Sequence, residues 1–316
     1  MALDSSSDMA ETQLPETSGP AEAGGKSQHR DFDIGDQGFP DSPPPELRFR
    51  KRVRIATDLR QLGRGVGVIR ALTERDLRVR YKQAYLGVAW AVFSPAVLMI
   101  VFSLLLSHQV LNVGTAGKPA YLFSYVALIP WTIFSNSVSS GGMSLVNNLI
   151  LVNKIYCPRE VFPLASILVA IADGFVASLL LLILFPIGHT APSGTIWWVP
   201  LLFLIELVYT VGVTLFLSVI IVYMRDLRQV VPVIVQFGLF ATPVVYTMSK
   251  IPRHLQTIYA IINPIGPLID GCRRAALLNQ DPQWNLVGLA AISSSFALVV
   301  GYFAFRMLER RIADVA

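Results

Sequence analysis

Charged residues, and the residue types that build catalytic or metal sites, are scarce in this sequence. Charged side chains make up 15% of its 316 residues and hydrophobic ones 53%, a composition that argues against a water-soluble domain. The two cysteines, Cys157 and Cys272, and the four histidines are scattered, without metal-ligand spacing. No nucleophile stands beside a candidate base, so the residues lend no support to an enzyme.

A nucleotide-binding loop is missing as well. Residues 19–27 read GPAEAGGKS, but Pro20 stands where a P-loop needs its first glycine, and neither an apolar strand nor a helix pattern frames the string. We therefore expect the chain to hydrolyse no ATP by itself.

Six long apolar runs are present instead, at residues 86–106, 122–138, 164–185, 197–222, 230–248 and 286–307. A helix needs about 20 mostly apolar residues to cross about 30 Å of hydrocarbon, and each run reaches or approaches that length. The runs are too long and too uniformly apolar for the strands of a membrane barrel. The sequence therefore predicts an all-α polytopic membrane protein whose six transmembrane helices occupy residues 86–307.

The basic residues predict which side of the membrane each end of the chain faces. Twelve Lys and Arg against three acids lie between Arg48 and Lys82, directly before the first run. The positive-inside rule keeps that segment in the cytoplasm, and six crossings return the C-terminal tail, residues 308–316, to the same side. The outer loop 249–285 carries four basic residues, but long loops obey the rule less strictly.

The segment before the first run has two parts of different composition. Residues 1–46 hold ten acids against two basic residues and few large apolar side chains, which predicts a disordered acidic cytoplasmic tail. Residues 47–85 are basic, and Val68, Leu72 and Val79 share one face of a helix. This pattern favours an amphipathic interfacial helix on the cytoplasmic leaflet, while a basic flank that only sets topology is the alternative.

Two acids, Asp173 and Glu206, fall inside the third and fourth runs. Ionisable groups at membrane depth are costly and suggest a function by default. In a proton-coupled carrier they would be the leading proton-binding candidates, whereas in an ATP-driven transporter we expect a neutral or paired acid that holds helices together. Neither acid has an evident basic partner in the sequence.

The last outer loop contains two short apolar pieces, at residues 255–262 and 269–278. Both are too short to span a membrane, so we expect a pair of re-entrant or interfacial helices between the fifth and sixth runs. A loop that only packs for stability is the alternative.

A series of short motifs runs along residues 68–316. It includes Arg75-Asp76-Leu77-Arg78, Arg80-Tyr81, Leu86-Gly87, Pro130-Trp131, Lys154-Ile155-Tyr156, Pro158-Arg159-Glu160, Arg225-Asp226, Pro243-Val244, Asn263-Pro264 and Glu309-Arg310-Arg311. In order and spacing these motifs resemble the membrane-spanning (permease) subunits of bacterial ABC transporters that export O-antigen, teichoic acid, capsule or galactan chains. The acidic tail lies outside the resemblance.

The resemblance implies a transporter subunit that moves a lipid-linked polysaccharide across the cytoplasmic membrane. It implies a homodimer of this chain with two ATPase subunits, and ATP and Mg²⁺ would bind to that separate partner. No nucleic-acid partner is expected. The alternatives are an ion- or proton-coupled lipid or glycolipid flippase and a membrane-embedded glycosyl- or lipid-modifying enzyme, which would need converging acids or a metal motif.

The resemblance also assigns the ATPase contact to the inner joint between the second and third runs. Polar and aromatic residues lie there beside Pro158 and Pro163, which limit how far a helix extends. The candidate coupling residues are Asn153, Lys154, Ile155, Tyr156, Pro158, Arg159 and Glu160. A plain turn that only enforces topology is the alternative.

The first and fifth runs are implied to line the path of the polymer. Sugars stack on aromatic faces and bond to amides and hydroxyls. The candidate conduit residues are Trp90, Phe93, Phe102, Gln236, Phe237, Phe240 and Tyr246. Packing against lipid or other helices is the alternative for each of them. An outer gate is implied at the last outer loop, with Asp270, Arg273 and Arg274 near the exit.

Overall fold

The computed structural model describes residues 55–82, 87, 89–108, 115, 117–154 and 158–309. All regular structure within these residues is helical, as the apolar runs predict. The acidic tail and the C-terminal residues from 310 onward lie outside the described residues.

Within the described part, the chain forms twelve helices. They are α1 (Ile55–Lys82), α2 (Ala89–Ser107), α3 (Ala120–Gly142), α4 (Ser144–Asn147), α5 (Leu149–Lys154), α6 (Val161–Leu179), α7 (Leu181–Ile187), α8 (Val199–Tyr223), α9 (Leu227–Ala241), α10 (Arg253–Ile262), α11 (Ile265–Arg273) and α12 (Trp284–Glu309). Short 3-10 turns precede α8 and α10, and a π-helical turn continues α11 to Leu278.

Four stretches of the described residues are long and apolar enough to cross a membrane, namely Ala89–Ser107, Val161–Ile187, Ile196–Tyr223 and Trp284–Glu309. They correspond to the first, third, fourth and sixth apolar runs. The second run forms α3, which is 23 residues long and mostly buried by its neighbours. That burial removes the Ser124 and Ser137 side chains from contact with lipid.

The fifth run forms a shorter helix than the sequence predicted. The predicted span continued to residue 248, but α9 ends at Ala241. Thr242 is extended, with φ −88° and ψ 143°, because a residue before proline is kept out of the α region and Pro243 follows. An irregular segment of turns, residues 242–247, then leads to the 3-10 turn that begins at Met248.

Helices α8 and α12 run parallel and contact each other along their lengths. Near their first turns, the rings of Trp198 and Trp284 meet edge to face with centroids 4.5 Å apart. At their other ends, the Tyr223 hydroxyl donates a hydrogen bond to the Leu308 carbonyl oxygen at 2.6 Å. The two helices therefore point the same way, as the predicted fourth and sixth spans require.

The close approach of α8 and α12 depends on two glycines. A Cβ atom on Gly301 would lie 2.1 Å from the carbonyl oxygen of Gly212. Only glycine permits backbones to approach this closely, which is the usual device for packing helices in membranes.

Helix α1 confirms a helix in the basic segment. It packs against α6, with Leu72 in a cluster that includes Phe162. Val68 is half-buried, whereas Val79 near the end of α1 is exposed. The apolar stripe of the sequence is therefore buried against protein along only part of its length.

The two short apolar pieces of the last outer loop form α10 and α11. Helix α11 is buried along its whole length among α3, α8 and α12, while α10 packs beside α12. The loop is thus a folded part of the helical core.

Candidate functional site

The predicted coupling residues run from the end of α5 to the residue before α6. Asn153 and Lys154 are the last residues of α5, and Ile155 and Tyr156 fall outside the described residues. The description resumes at Pro158, which is half-buried.

The start of α6 is attached to the end of α12. Arg159 Nη1 donates a hydrogen bond to the Glu309 carbonyl oxygen at 2.5 Å. Glu160 is buried, and its Oε1 lies 2.8 Å from Nη2 of Arg306. Nη1 of Arg306 lies 3.2 Å from Oε2 of Glu309, so one guanidinium joins two carboxylates.

A second inter-helix joint reaches the same place. Tyr223 ends α8 and bonds to Leu308, one residue before Glu309. Arg306 Nε also donates to the Tyr302 hydroxyl at 3.2 Å. We call this assembly the α12 junction, defined as Arg159, Glu160, Tyr223, Arg306, Leu308 and Glu309. Sequence reasoning missed it because about 150 residues separate Arg159 from Glu309, and no spacing rule connects them.

The conduit residues of α2 divide into exposed and buried side chains. Trp90 and Phe93 are each 51% exposed and meet edge to face with centroids 5.0 Å apart. Phe102 is buried, and its ring faces the edge of Phe240 at 6.4 Å. This contact places aromatic residues of α2 and α9 side by side.

The conduit residues of α9 project from the surface of the chain. Gln236, Phe237 and Phe240 are exposed, the two rings by 69% and 62%. Tyr246 lies in the irregular segment, where its hydroxyl donates to the Ala241 carbonyl oxygen at 2.7 Å. A polymer path along these side chains stays a prediction.

Arg273 is buried completely. Its guanidinium donates to the carbonyl oxygens of Tyr246 at 2.8 Å, Pro243 at 3.2 Å and Val244. It also donates to the Phe123 carbonyl oxygen at 3.2 Å and lies 4.1 Å from the centroid of that ring. The irregular segment after α9 lacks helical partners for its carbonyls, and Arg273 supplies donors for them. The structure therefore holds Arg273 inside the protein, and a role of this residue in an outer gate stays a prediction.

The other two predicted gate residues lie on either side of Arg273. Asp270 is also buried, with its Oδ1 3.6 Å from Arg273 Nη1 and 3.3 Å from the Met248 amide nitrogen that donates to it. Arg274 is half-buried and donates through Nε to the Asp281 carbonyl oxygen at 3.0 Å. Among the three predicted gate residues, Arg274 alone is partly exposed.

Asp173 has a basic partner that the sequence did not reveal. Its two carboxylate oxygens accept hydrogen bonds from Arg80 and from the Tyr81 hydroxyl, both in the last turn of α1. Burial and the hydrogen bond to Asp173 raise the pKa of Tyr81, so the phenol stays protonated and donates. About ninety residues separate the partners, which is why no local pattern pointed to them.

Glu206 differs from Asp173 because it is fully buried in α8 without a bonding partner for either carboxylate oxygen among the described residues. No three His, Cys, Asp or Glu side chains converge on a metal-binding position in the part of the chain that the structure describes.

Two adjoining cavities lie between the end of α1 and helices α2, α3, α4 and α6, and they share Arg80. The larger has a volume of about 510 Å³ and is lined by residues that include Arg75, Asp76, Arg80, Ser140, Asn147 and Ser166. The smaller has a volume of about 240 Å³ and is lined by residues that include Arg80, Trp90, Ser94, Thr132, Asn136 and Asp173. We call the two cavities together the polar groove.

Comparison with known proteins decides the family. The profile of the ABC-2 type transporter family matches residues 67–277, which is most of the chain. The chain belongs to this family. It is therefore a multi-pass membrane component of an ABC-2 type transporter rather than an enzyme, and the resemblance found in its motifs is confirmed.

Three relatives of this ABC-2 type transporter chain carry the same name, O-antigen export system permease protein RfbA. The Myxococcus xanthus protein is 30% identical over 238 residues, covering 74% of this chain and 90% of the relative. One Klebsiella pneumoniae protein is 25% identical over 248 residues, and another is 25% identical over 252 residues. Both Klebsiella alignments cover 77% of this chain and 93% of the relative.

Proposed function

We propose that this chain is the membrane-spanning subunit of an ABC exporter that moves a lipid-linked polysaccharide across the cytoplasmic membrane. The observation that carries the proposal is the similarity to O-antigen export permeases over at least 90% of their length. Two copies would work with two ATPase subunits, which would bind the ATP and Mg²⁺ that drive transport.

We further propose six crossings with both termini in the cytoplasm, α3 and α9 being the second and fifth. Trp197, Trp198 and Trp284 gather at the starts of the parallel helices α8 and α12, and aromatic belts are typical of the membrane–water interface. Arg225 follows the opposite end of α8, and Arg306 lies near the same end of α12. This distribution supports a cytoplasmic position for the α12 junction.

The α12 junction supports the α5–α6 joint as the contact that receives ATPase motion. The joint is tied to the last span through the buried Glu160–Arg306 ion pair, and the α8–α9 joint is tied to the same turn through Tyr223. Removing one member of a buried ion pair typically costs about 3–5 kcal/mol. A displacement of the joint is therefore expected to move α12 rather than to break the contact.

The exposed aromatic side chains of α2 and α9 support a path between two copies. Phe93, Phe237 and Phe240 cover adjoining surfaces whose helices meet at the Phe102–Phe240 contact. Sugars could slide along rings that face the path between two copies, because such rings bind them without strong polar contacts.

The experiment measures surface polysaccharide in cells that lack this chain and are complemented with it. Complementation should restore export only with an intact ATPase subunit, and export should continue when the proton gradient is collapsed while ATP is maintained. Export that stops with the gradient at normal ATP levels would favour an ion-coupled flippase. ATP hydrolysis by the purified chain alone would also contradict the proposal.

A further inference from the structure

A row of polar side chains follows one face of α3 and continues into α4. Apart from the neighbours Ser135 and Asn136, its members recur at intervals of three and four residues, which places them on one side of a helix. They are Thr132, Ser135, Asn136, Ser140, Ser144 and Asn147, and all of them line the polar groove. Thr132, Ser135 and Asn136 lie in the second apolar run, for which the sequence predicts only a transmembrane helix.

Asn136 makes this row difficult to explain as packing. It is exposed, and its side-chain amide makes no hydrogen bond to any of the described residues. It lies six residues before the end of α3 at Gly142, which is about 9 Å along the helix. An amide that faced hydrocarbon at that depth would cost several kcal/mol. The groove beside Asn136 is therefore a polar compartment.

The charged groups of the groove are paired with one another. Arg75 bonds to Asp76 at 2.9 Å and to the Asn148 side-chain oxygen at 3.0 Å, and Arg80 pairs with Asp173. Two cations thus face two anions, and an added phosphate would meet no excess of positive charge. Four hydroxyls of the row each donate to a carbonyl oxygen of the preceding turn, namely those of Thr132, Ser135, Ser140 and Ser144. The groups that remain for a ligand are therefore the lone pairs of these hydroxyl oxygens and the side-chain amides of the row.

The uncharged polar groups of the groove are of the kinds that bind carbohydrate. The Asn amides offer donors and acceptors to sugar hydroxyls, the Ser and Thr oxygens offer acceptors, and the half-exposed ring of Trp90 offers a face on which a pyranose can stack. The larger cavity, at about 510 Å³, lies within the range of about 300–1,000 Å³ usual for small-molecule sites.

We infer that the polar groove binds sugar residues of the transported glycan within a single copy of the chain, before they reach the path between two copies. The inference rests on the proposed function for the identity of the ligand. In this inference Asn136 and Trp90 contact the sugar. The Arg80–Asp173 ion pair leaves no net charge at that part of the groove.

The test measures the reaction of introduced cysteines with a charged, membrane-impermeant thiol reagent. The full chain, with Cys157→Ser, is placed in inside-out vesicles without ATP. Asn136→Cys reports on the groove, Ser140→Cys is a second reporter should the first fail to fold, and Ser295→Cys on the exposed surface of α12 is the control. The groove reporters should react at least about tenfold faster than the control, because a thiol in hydrocarbon stays unreactive.

Protection then identifies the ligand class. The probes are methyl α-glycosides of glucose, galactose, mannose, rhamnose and N-acetylglucosamine, with sorbitol and sodium diphosphate as comparisons. At least one glycoside should slow labelling about threefold at twice its Kd. With Ser140→Cys as reporter, Asn136→Ala should remove this protection, while Asn285→Ala, an exposed amide at the other end of α12, should not.

Three outcomes would overturn the inference. In the first, both groove reporters are labelled as slowly as Ser295→Cys. In the second, diphosphate slows labelling and no glycoside does. In the third, the glycosides slow labelling no more than sorbitol does. Because no ATP or export is involved, failure of the export experiment would leave this result intact.

Discussion

Two arginines at opposite ends of the helices, Arg273 fully buried and Arg306 partly buried, are bound by different kinds of group. Arg273 donates to backbone carbonyl oxygens of the irregular segment after α9 and of α3, with Asp270 3.6 Å away. Arg306 is held by the side chains of Glu160 and Glu309. Arg273 fixes the course of the backbone. Arg306 links separate helices through side-chain carboxylates, each of which can be replaced by mutation without changing the backbone.

The difference indicates what each end of the molecule can do. The carbonyl oxygens around Arg273 cannot turn away without unfolding the segment, so this end should behave as a rigid unit. The α12 junction joins the ends of α6, α8 and α12 through individual side chains. Mutations there are therefore expected to alter transmission between helices more than the fold itself.

The largest expected effect comes from Arg273→Met, which keeps the bulk of the side chain and removes its donors. Buried carbonyls of Pro243, Val244 and Tyr246 would lose a partner, and Asp270 would lose its cation. We expect a loss of about 3–5 kcal/mol in stability, measured by thermal unfolding in detergent micelles. Arg274→Met is the matched control, because that neighbouring side chain is half-buried and donates a hydrogen bond to the Asp281 carbonyl oxygen at 3.0 Å.

Equal melting temperatures for Arg273→Met and Arg274→Met would show that the hydrogen bonds from Arg273 to the carbonyl oxygens contribute little to stability. The contrast between the two ends of the molecule would then fail.

An intermediate effect is expected from Glu160→Gln. The substitution keeps the shape but removes a charge that is nearly inaccessible, whereas Glu309 is 19% exposed. We expect a loss of about 2–3 kcal/mol, less than for removing a whole ion-pair partner because the amide oxygen can still accept a hydrogen bond from Arg306, together with more ATP hydrolysed per exported chain. Glu309→Gln should cost about 1 kcal/mol or less, because solvent screens the more exposed carboxylate.

The charge-swapped pair Glu160→Arg with Arg306→Glu tests whether the pair itself matters. Partial recovery of coupling relative to each single substitution is expected, since interacting neighbours are non-additive. Strictly additive effects would contradict a direct link between the α5–α6 joint and α12.

The smallest expected effects come from removing one tyrosine hydroxyl inside the α12 junction and one outside it. Tyr223→Phe removes a bond to Leu308 in the α12 junction, and Tyr125→Phe removes a bond to Ala177 at 2.8 Å between α3 and α6. Each should cost about 1 kcal/mol in thermal unfolding. Only Tyr223→Phe should raise the ATP consumed per exported chain, and a similar rise in Tyr125→Phe would deny the junction a special role.

The sequence predicted the helices well where hydrophobicity decides the outcome. Every apolar run became helical, and the two short pieces of the last outer loop became α10 and α11. The end of α9 was missed because a single backbone effect, the proline after Thr242, overrides an apolar pattern that continues beyond it.

The polar contacts could not be predicted because they join distant residues. The partner of Asp173 is Arg80, and the partner of Glu160 is Arg306, about ninety and 150 residues away along the chain. Periodicity along one helix carries no information about which other helix packs against it. Arg273 looked like an exposed basic residue of an outer loop, since nothing local indicated that α11 is buried among α3, α8 and α12.

The shortness of α9 also affects the surrounding lipid. Fifteen residues make a helix about 22 Å long, whereas the hydrocarbon core is about 30 Å thick. In the proposed topology, in which α9 is the fifth crossing, the bilayer beside α9 must thin locally, or irregular backbone must complete the crossing where Arg273 shields it from lipid. In that topology the transport rate should depend on membrane thickness, and bilayers with longer acyl chains should increase the hydrophobic mismatch at α9.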